Sequence, residues 1–187
     1  MNKYTFESLT NAIDNNNSIL IQKIISNNLN FLNLQDCDGN TPILFSLENF
    51  KYDSFETILK FKDNINFTLK DNGGCTPLHL ATLCGDDSID ILNKLLEIPD
   101  ILKLLNEPDN NNKTPLIWVA ESYNDDVMRK FLSYQNINVL IKDNDNNTAF
   151  DILNSKDDYG KPSFFDKYNI DYEIYLQINN CNINKIL

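Results

Sequence analysis

The chain has 187 residues, enough for one domain, and its 27 acidic against 16 basic side chains give a formal net charge of −11. No basic stripe interrupts that balance, which argues against binding a nucleic-acid backbone or an anionic membrane surface. No apolar run approaches the roughly 18 residues needed to cross a bilayer.

Taken in chain order, the first periodic stretch is residues 4–32. It lacks the Thr-Pro of the later units, but Ala12, Leu20-Ile21 and Ile24-Ile25 fall at the places those units give to apolar residues. A turn sequence follows, Asp36-Cys37-Asp38-Gly39, and then Thr41-Pro42-Ile43-Leu44-Phe45-Ser46. The same order returns as Asp71-Asn72-Gly73-Gly74 before Thr76-Pro77-Leu78-His79-Leu80-Ala81, and as Asp109-Asn110-Asn111-Asn112 before Thr114-Pro115-Leu116-Ile117-Trp118-Val119. A weaker copy, Asp143-Asn144-Asp145-Asn146-Asn147, precedes Thr148-Ala149-Phe150. The threonines stand 35, 38 and 34 residues apart, so one supersecondary unit is copied and stacked.

Each repeated residue has a physical reason. A Thr hydroxyl at a helix start can accept from an otherwise unpaired backbone N–H. Pro in the first turn has its φ preset and no N–H to leave unsatisfied. Asp with Gly or Asn shapes a tight turn, and Asn enters positive φ more readily than other non-glycine residues. Paired apolar residues also recur, as Ile24-Ile25, Ile58-Leu59, Leu95-Leu96 and Phe131-Leu132. In the 38-residue unit, apolar residues crowd Ile89–Leu105 around Pro99. This predicts a lengthened second helix, a break near Ile98 and a short extra turn.

The period and the Thr-Pro-Leu-His-Leu-Ala motif resemble the ankyrin repeat family. The resemblance implies an all-α ankyrin-repeat solenoid of helix-turn-helix units with β-turn or hairpin finger loops. The whole chain, residues 1–187, reads as one such domain: an N-terminal capping unit at 4–32, repeats at 36–67, 71–105 and 109–139, and a partial repeat at 143–158. Residues 159–187 depart from the pattern. Ile170, Ile174 and Ile178 recur at a spacing of four, behind Phe164, Phe165 and Tyr168. That spacing predicts a C-terminal capping helix, with a partner-binding helix as the alternative.

Candidate chemical sites are sparse. His79 is the single histidine, and the resemblance implies that it hydrogen-bonds to loop backbone and ties one unit to the next. With Cys75 and Cys84 it lacks zinc-site spacing. Asp143-Asn144-Asp145 begins like a calcium loop, but Thr148 stands where Gly is required and Asn154 where Glu is required. Gly73-Gly74 is a turn and not a phosphate-cradling loop. Trp118 and Phe45 take the position that Leu80 holds and read as core. Four cysteines without a C-x-x-C pair, and no apolar segment after Met1-Asn2-Lys3-Tyr4, predict reduced thiols and a cytoplasmic protein, or one in a host cytosol if it is an exported effector. The abundance of Asn, Ile and Lys has the look of an A+T-rich genome.

The resemblance therefore implies no catalytic residue, cofactor or metal. It implies a non-catalytic protein–protein interaction module, whether adaptor, regulatory subunit or host-directed effector, that binds through its concave face. The alternative is a scaffold or targeting module of a larger enzyme or complex. The expected contact residues are Asp38, Asn40, Glu48, Asn49, Asn72, Cys75, Leu83, Cys84, Asn111, Lys113, Glu121, Ser122, Tyr123 and Asp145. The expected partner is a protein with a basic surface, met by a monomer or by a subunit of a hetero-complex, and neither nucleic acid nor membrane.

Overall fold

The computed structural model describes residues 4–154, which form ten α-helices and, among the described residues, no strand. The capping helix expected at 159–187 lies outside them, as does the end of the partial repeat. The helices come in pairs. In the first unit α1 (Phe6–Asp14) precedes α2 (Ser18–Asn27), and in the second α3 (Pro42–Glu48) precedes α4 (Tyr52–Leu59). The third unit has α5 (Pro77–Ala81), α6 (Ser88–Leu96) and the extra α7 (Pro99–Leu102). The fourth has α8 (Pro115–Ser122) and α9 (Asp125–Leu132), and α10 (Ala149–Asn154) opens the fifth.

The helices stack in two layers. The first helices pack in the series α1, α3, α5, α8, α10, while in the other layer α2 packs on α4 and α6 on α9. The apolar residues that recur along the sequence supply the contacts: Leu9, Ile24, Leu44, Leu47, Ile58, Leu78, Leu92, Leu95, Leu116, Val127 and Phe131 are buried. Ala81 and Ala120 are fully buried where successive first helices approach, and their small side chains permit that approach. No unit closes a core alone, which is why neighbours are required.

Pro42, Pro77 and Pro115 each occupy the first helical position, as their missing N–H favours. The threonines before them differ. Thr114 Oγ1 accepts from Ile117 N at 3.4 Å, whereas the Thr41 side chain makes no such bond. Thr148 forms a reciprocal cap with Asp151: its backbone N–H donates to Asp151 Oδ2 at 2.8 Å, and Asp151 N donates back to Thr148 Oγ1 at 3.2 Å.

The 38-residue unit breaks at Pro99, with Ile98 extended before it and α7 as the extra turn. Its second helix is not lengthened, however. At 9 residues α6 lies between α4, with 8, and α2, with 10. The additional residues go instead into α7 and into a 3-10 turn at Gly85–Asp87. Helix α5 is the shortest first helix with 5 residues, so Leu83 and Cys84 follow it in a turn. Thr82 Oγ1 donates back to His79 O at 2.7 Å, and the Cys84 carbonyl accepts from Tyr52 Oη at 3.2 Å. Both bonds draw polar groups away from a continuing helix.

A candidate binding surface on the fingers and first helices

Each finger is built on its leading aspartate. The carbonyl of Asp36, Asp71, Asp109 or Asp143 accepts the N–H three residues on, and its own N–H donates to the carbonyl four residues on. The carboxylate adds to this. Asp36 Oδ1 accepts from Asp38 N at 3.0 Å and Asn40 N at 2.8 Å, and Asp143 Oδ1 accepts from Asp145 N at 3.0 Å and Asn147 N at 2.9 Å. The Asp143 carboxylate is thus committed to a turn. Gly39 and Gly74 close their fingers at φ +82° and +81°, and Asn112 and Asn146 take the same place at +59° and +66°.

Successive fingers are tied by backbone bonds. Asn72 N donates to Asp38 O at 2.9 Å, Asn110 N to Gly73 O at 2.9 Å and Asn144 N to Asn111 O at 3.1 Å. Asn side chains reinforce the ladder, with Asn72 Nδ2 on Cys37 O at 2.9 Å and Asn110 Nδ2 on Asn72 O at 2.8 Å. Below the fingers, Asn33 Nδ2 reaches Asn64 O at 2.9 Å, and Asn106 Nδ2 reaches Asn136 O at 2.8 Å. Many of the asparagines that composition alone presents as genomic bias are therefore stitching residues.

His79 joins two units. Its Nδ1 accepts from Thr76 N at 3.1 Å, which leaves the proton on Nε2 to donate to Lys113 O of the next finger at 3.0 Å. Burial depresses its pKa below the ordinary value of 6.5, so the ring is neutral. Trp118 stacks edge-on against it, with centroids 5.3 Å apart, and donates its Nε1–H to Asp109 Oδ2 at 3.0 Å.

The structure sorts the expected contact residues. Asp38, Glu48, Asn49, Asn72, Leu83, Asn111, Glu121, Ser122, Tyr123 and Asp145 are exposed, and Lys113 is half-buried. Three expectations of exposure are corrected. Cys84 is 3% exposed because its thiol turns inward to the Leu80 carbonyl. Cys75 is 7% exposed beneath the finger, and Asn40 is 2% exposed because its side chain turns toward Glu48. Burial pushes the Cys75 thiol up to about 12 and the Cys84 thiol up to about 11, so both stay protonated and unreactive at neutral pH. Trp118 and Phe45, read as core, do pack against it but are half-buried, whereas Leu80 is buried. The signal was present in the sequence: each is larger than the Leu whose place it takes.

Residues at the finger bases and helix ends form a pattern across the units. One residue before each Thr and one eight residues further on face each other. These pairs are Asn40 with Glu48 (Nδ2 to Oε2, 2.6 Å), Cys75 with Leu83, and Lys113 with Glu121 (Nζ to Oε1, 2.6 Å). An apolar middle unit is thereby flanked by two polar ones. Leu83 is 47% exposed and lines two cavities, one of about 220 Å³ toward α3 and one of about 290 Å³ toward α8. Trp118 lines both. At the far end of the first helices, Phe50 and Tyr123 hold φ +56° and +57°, where Gly85 takes the equivalent place in the third unit. Both aromatics are about half exposed in a conformation that side chains disfavour.

None of the described helices is long and apolar enough to cross a membrane. No curated protein matches the chain. A family model described as ankyrin repeats, in three copies, matches residues 9–103, slightly more than half of the sequence. Such repeats are generally protein–protein interaction modules. The fingers and helix pairs continue the pattern beyond the match as far as residue 154. On the matched residues and on the stacked helix pairs alike, the chain belongs to the ankyrin repeat family.

Proposed function

We propose that the chain is a non-catalytic module that binds a protein partner through the face made by its fingers and first helices. The observation that carries this reading is the half-exposed Leu83, set between two cavities and bordered by Phe50 and Trp118 within an acidic surface. An apolar residue presented in this way among polar neighbours marks an interaction site. The contact set is Asp38, Glu48, Asn49, Asn72, Leu83, Asn111, Lys113, Glu121, Ser122, Tyr123 and Asp145, with Phe50 and Trp118 added and the buried Asn40, Cys75 and Cys84 removed.

The excess of acid points to a basic partner. Three lysines are engaged between units: Lys51 pairs with Asp14 at 3.0 Å, Lys70 with Glu107 at 2.8 Å, and Lys94 with Glu56. Unpaired thiols at Cys37, Cys75 and Cys84 favour a reducing compartment, the cytoplasm or a host cytosol. An adaptor, a regulatory subunit or an effector would each use the same face.

The test is affinity capture from lysate of the source cell with wild type and with Leu83→Glu. A protein recovered by wild type and lost by the variant supports the reading. One retained equally by both moves the site elsewhere. Reversing Glu121 and Asp145 to Lys is expected to weaken the captured partner while leaving the melting curve in place, since the exposed Lys113–Glu121 pair contributes only about 0–1 kcal/mol. Unchanged affinity would remove the charge component.

A further inference from the structure

The cavity between α3, α5 and α8 has a composition that selects one kind of side chain. It encloses about 220 Å³, room for one long side chain, and its walls include Glu48, Phe50, Asp71, Leu80, Leu83 and Trp118. Two carboxylates line it and no cation does. The nearby Lys113 lines the neighbouring cavity and is tied there to Glu121.

Asp71 differs from Asp109, its equivalent in the next finger. Asp109 receives an indole N–H from Trp118 at 3.0 Å, whereas Asp71 faces the apolar Leu80, which offers no donor. Asp71 Oδ1 accepts the Cys75 amide at 2.8 Å, and the Cys75 thiol also bonds to this carboxylate, but among the described residues no indole or cation reaches it. Trp118 is fixed in place by Asp109 on one edge and by the His79 ring, so its remaining surface is presented to the cavity without rearrangement.

An apolar guest would strip water from Glu48 and Asp71 with nothing in return. An acidic guest would be repelled. A lysine or arginine can lay its methylene stem along Leu80 and Leu83 and bring its charge to the carboxylates beside an aromatic ring. Arginine fits better than lysine, because its planar fork can meet two carboxylates and stack at once. We propose that this cavity receives a single arginine or lysine side chain from a linear, apolar-flanked segment of a partner protein. The inference rests on the finger face being the binding surface, and it names what that surface recognises.

The experiment is selection of a random-peptide display library on the immobilised chain. Affinities of the enriched peptides are then read from the fluorescence of Trp118, the single tryptophan. The expected result is a shared arginine or lysine beside an apolar residue. Replacing arginine by citrulline, or lysine by norleucine, is expected to weaken binding by about tenfold or more. Glu48→Gln should do the same while keeping an oxygen to accept the Asn40 amide. Enriched peptides with no basic residue in common, or binding unchanged by Glu48→Gln, would overturn the proposal. If such peptides still lose binding to Leu83→Glu, the face survives as a binding surface and only the basic guest falls. If they bind regardless of Leu83→Glu, both readings fall. Enrichment of nothing also overturns it, since a cleft for one side chain of a linear segment must admit displayed peptides.

Discussion

Phe50 shows how a single residue can be kept against its own backbone. At φ +56° a side chain costs about 1–2 kcal/mol that glycine avoids. Phe50→Gly is therefore expected to be more stable than Phe50→Ala by about 1 kcal/mol in urea unfolding, the reverse of the usual order within helices. Equal stability would mean that the position carries no strain. His79 makes a second argument at this scale. Its folded pKa lies below 6.5, so the unfolded chain takes up a proton first as pH falls. The His79 contribution is complete above 6.5 and shrinks as pH drops from there toward the folded value. An NMR titration of the ring should give a midpoint below 6.5, and a midpoint at or above that value would contradict its burial. The sequence made His79 legible because its motif is specific. It left Cys84 illegible, because whether a thiol faces inward depends on where α5 ends, and that depends on the Thr82 and Tyr52 bonds made across the fold.

At the scale of the element, the fingers are tighter than their sequences suggest. A Cβ at Gly74 would meet Asn110 Oδ1 at 2.5 Å and its backbone N at 2.8 Å, at a φ of +81°. Gly74→Ala should cost roughly 2–3 kcal/mol, combining backbone strain with a disturbed bond to the next finger. Gly73→Ala is the matched control, because there the nearest atom is a side-chain oxygen, Asp71 Oδ1 at 3.1 Å, with no backbone atom of the next finger in the way and no positive φ required. Similar losses from the two substitutions would show that the fingers do not depend on that close approach. The Asp-x-x-Gly spacing announces a turn, but not that the glycine makes room for the next unit's asparagine. The second helices carry a similar lesson. Crowded apolar residues near Pro99 read as a longer α6, yet the chain uses them in α7, because Pro99 is better placed at a helix start than within one.

Over the whole molecule, period and motif made the architecture readable, since every unit repeats the same burial. The candidate site was readable only in part. Leu83 and the acidic residues stand where the repeat exposes them, but the cavity beside Leu83 arises from three units at once: Glu48 on one, Asp71 and Leu83 on the next, Trp118 on a third. No single unit encodes it. The polar–apolar–polar alternation across Glu48, Leu83 and Glu121 likewise appears only once the units are in register.

The ladder between fingers also supplies a clock for each junction. The amides of Asn72, Asn110 and Asn144 belong to exposed residues, yet each hydrogen is held by the carbonyl of the preceding finger. Solvent deuterium reaches such a proton only when its own junction parts. Three exchange rates along one chain thus time the opening of three seams separately, and a guest that clamps neighbouring units would slow the clocks on either side of it before any others.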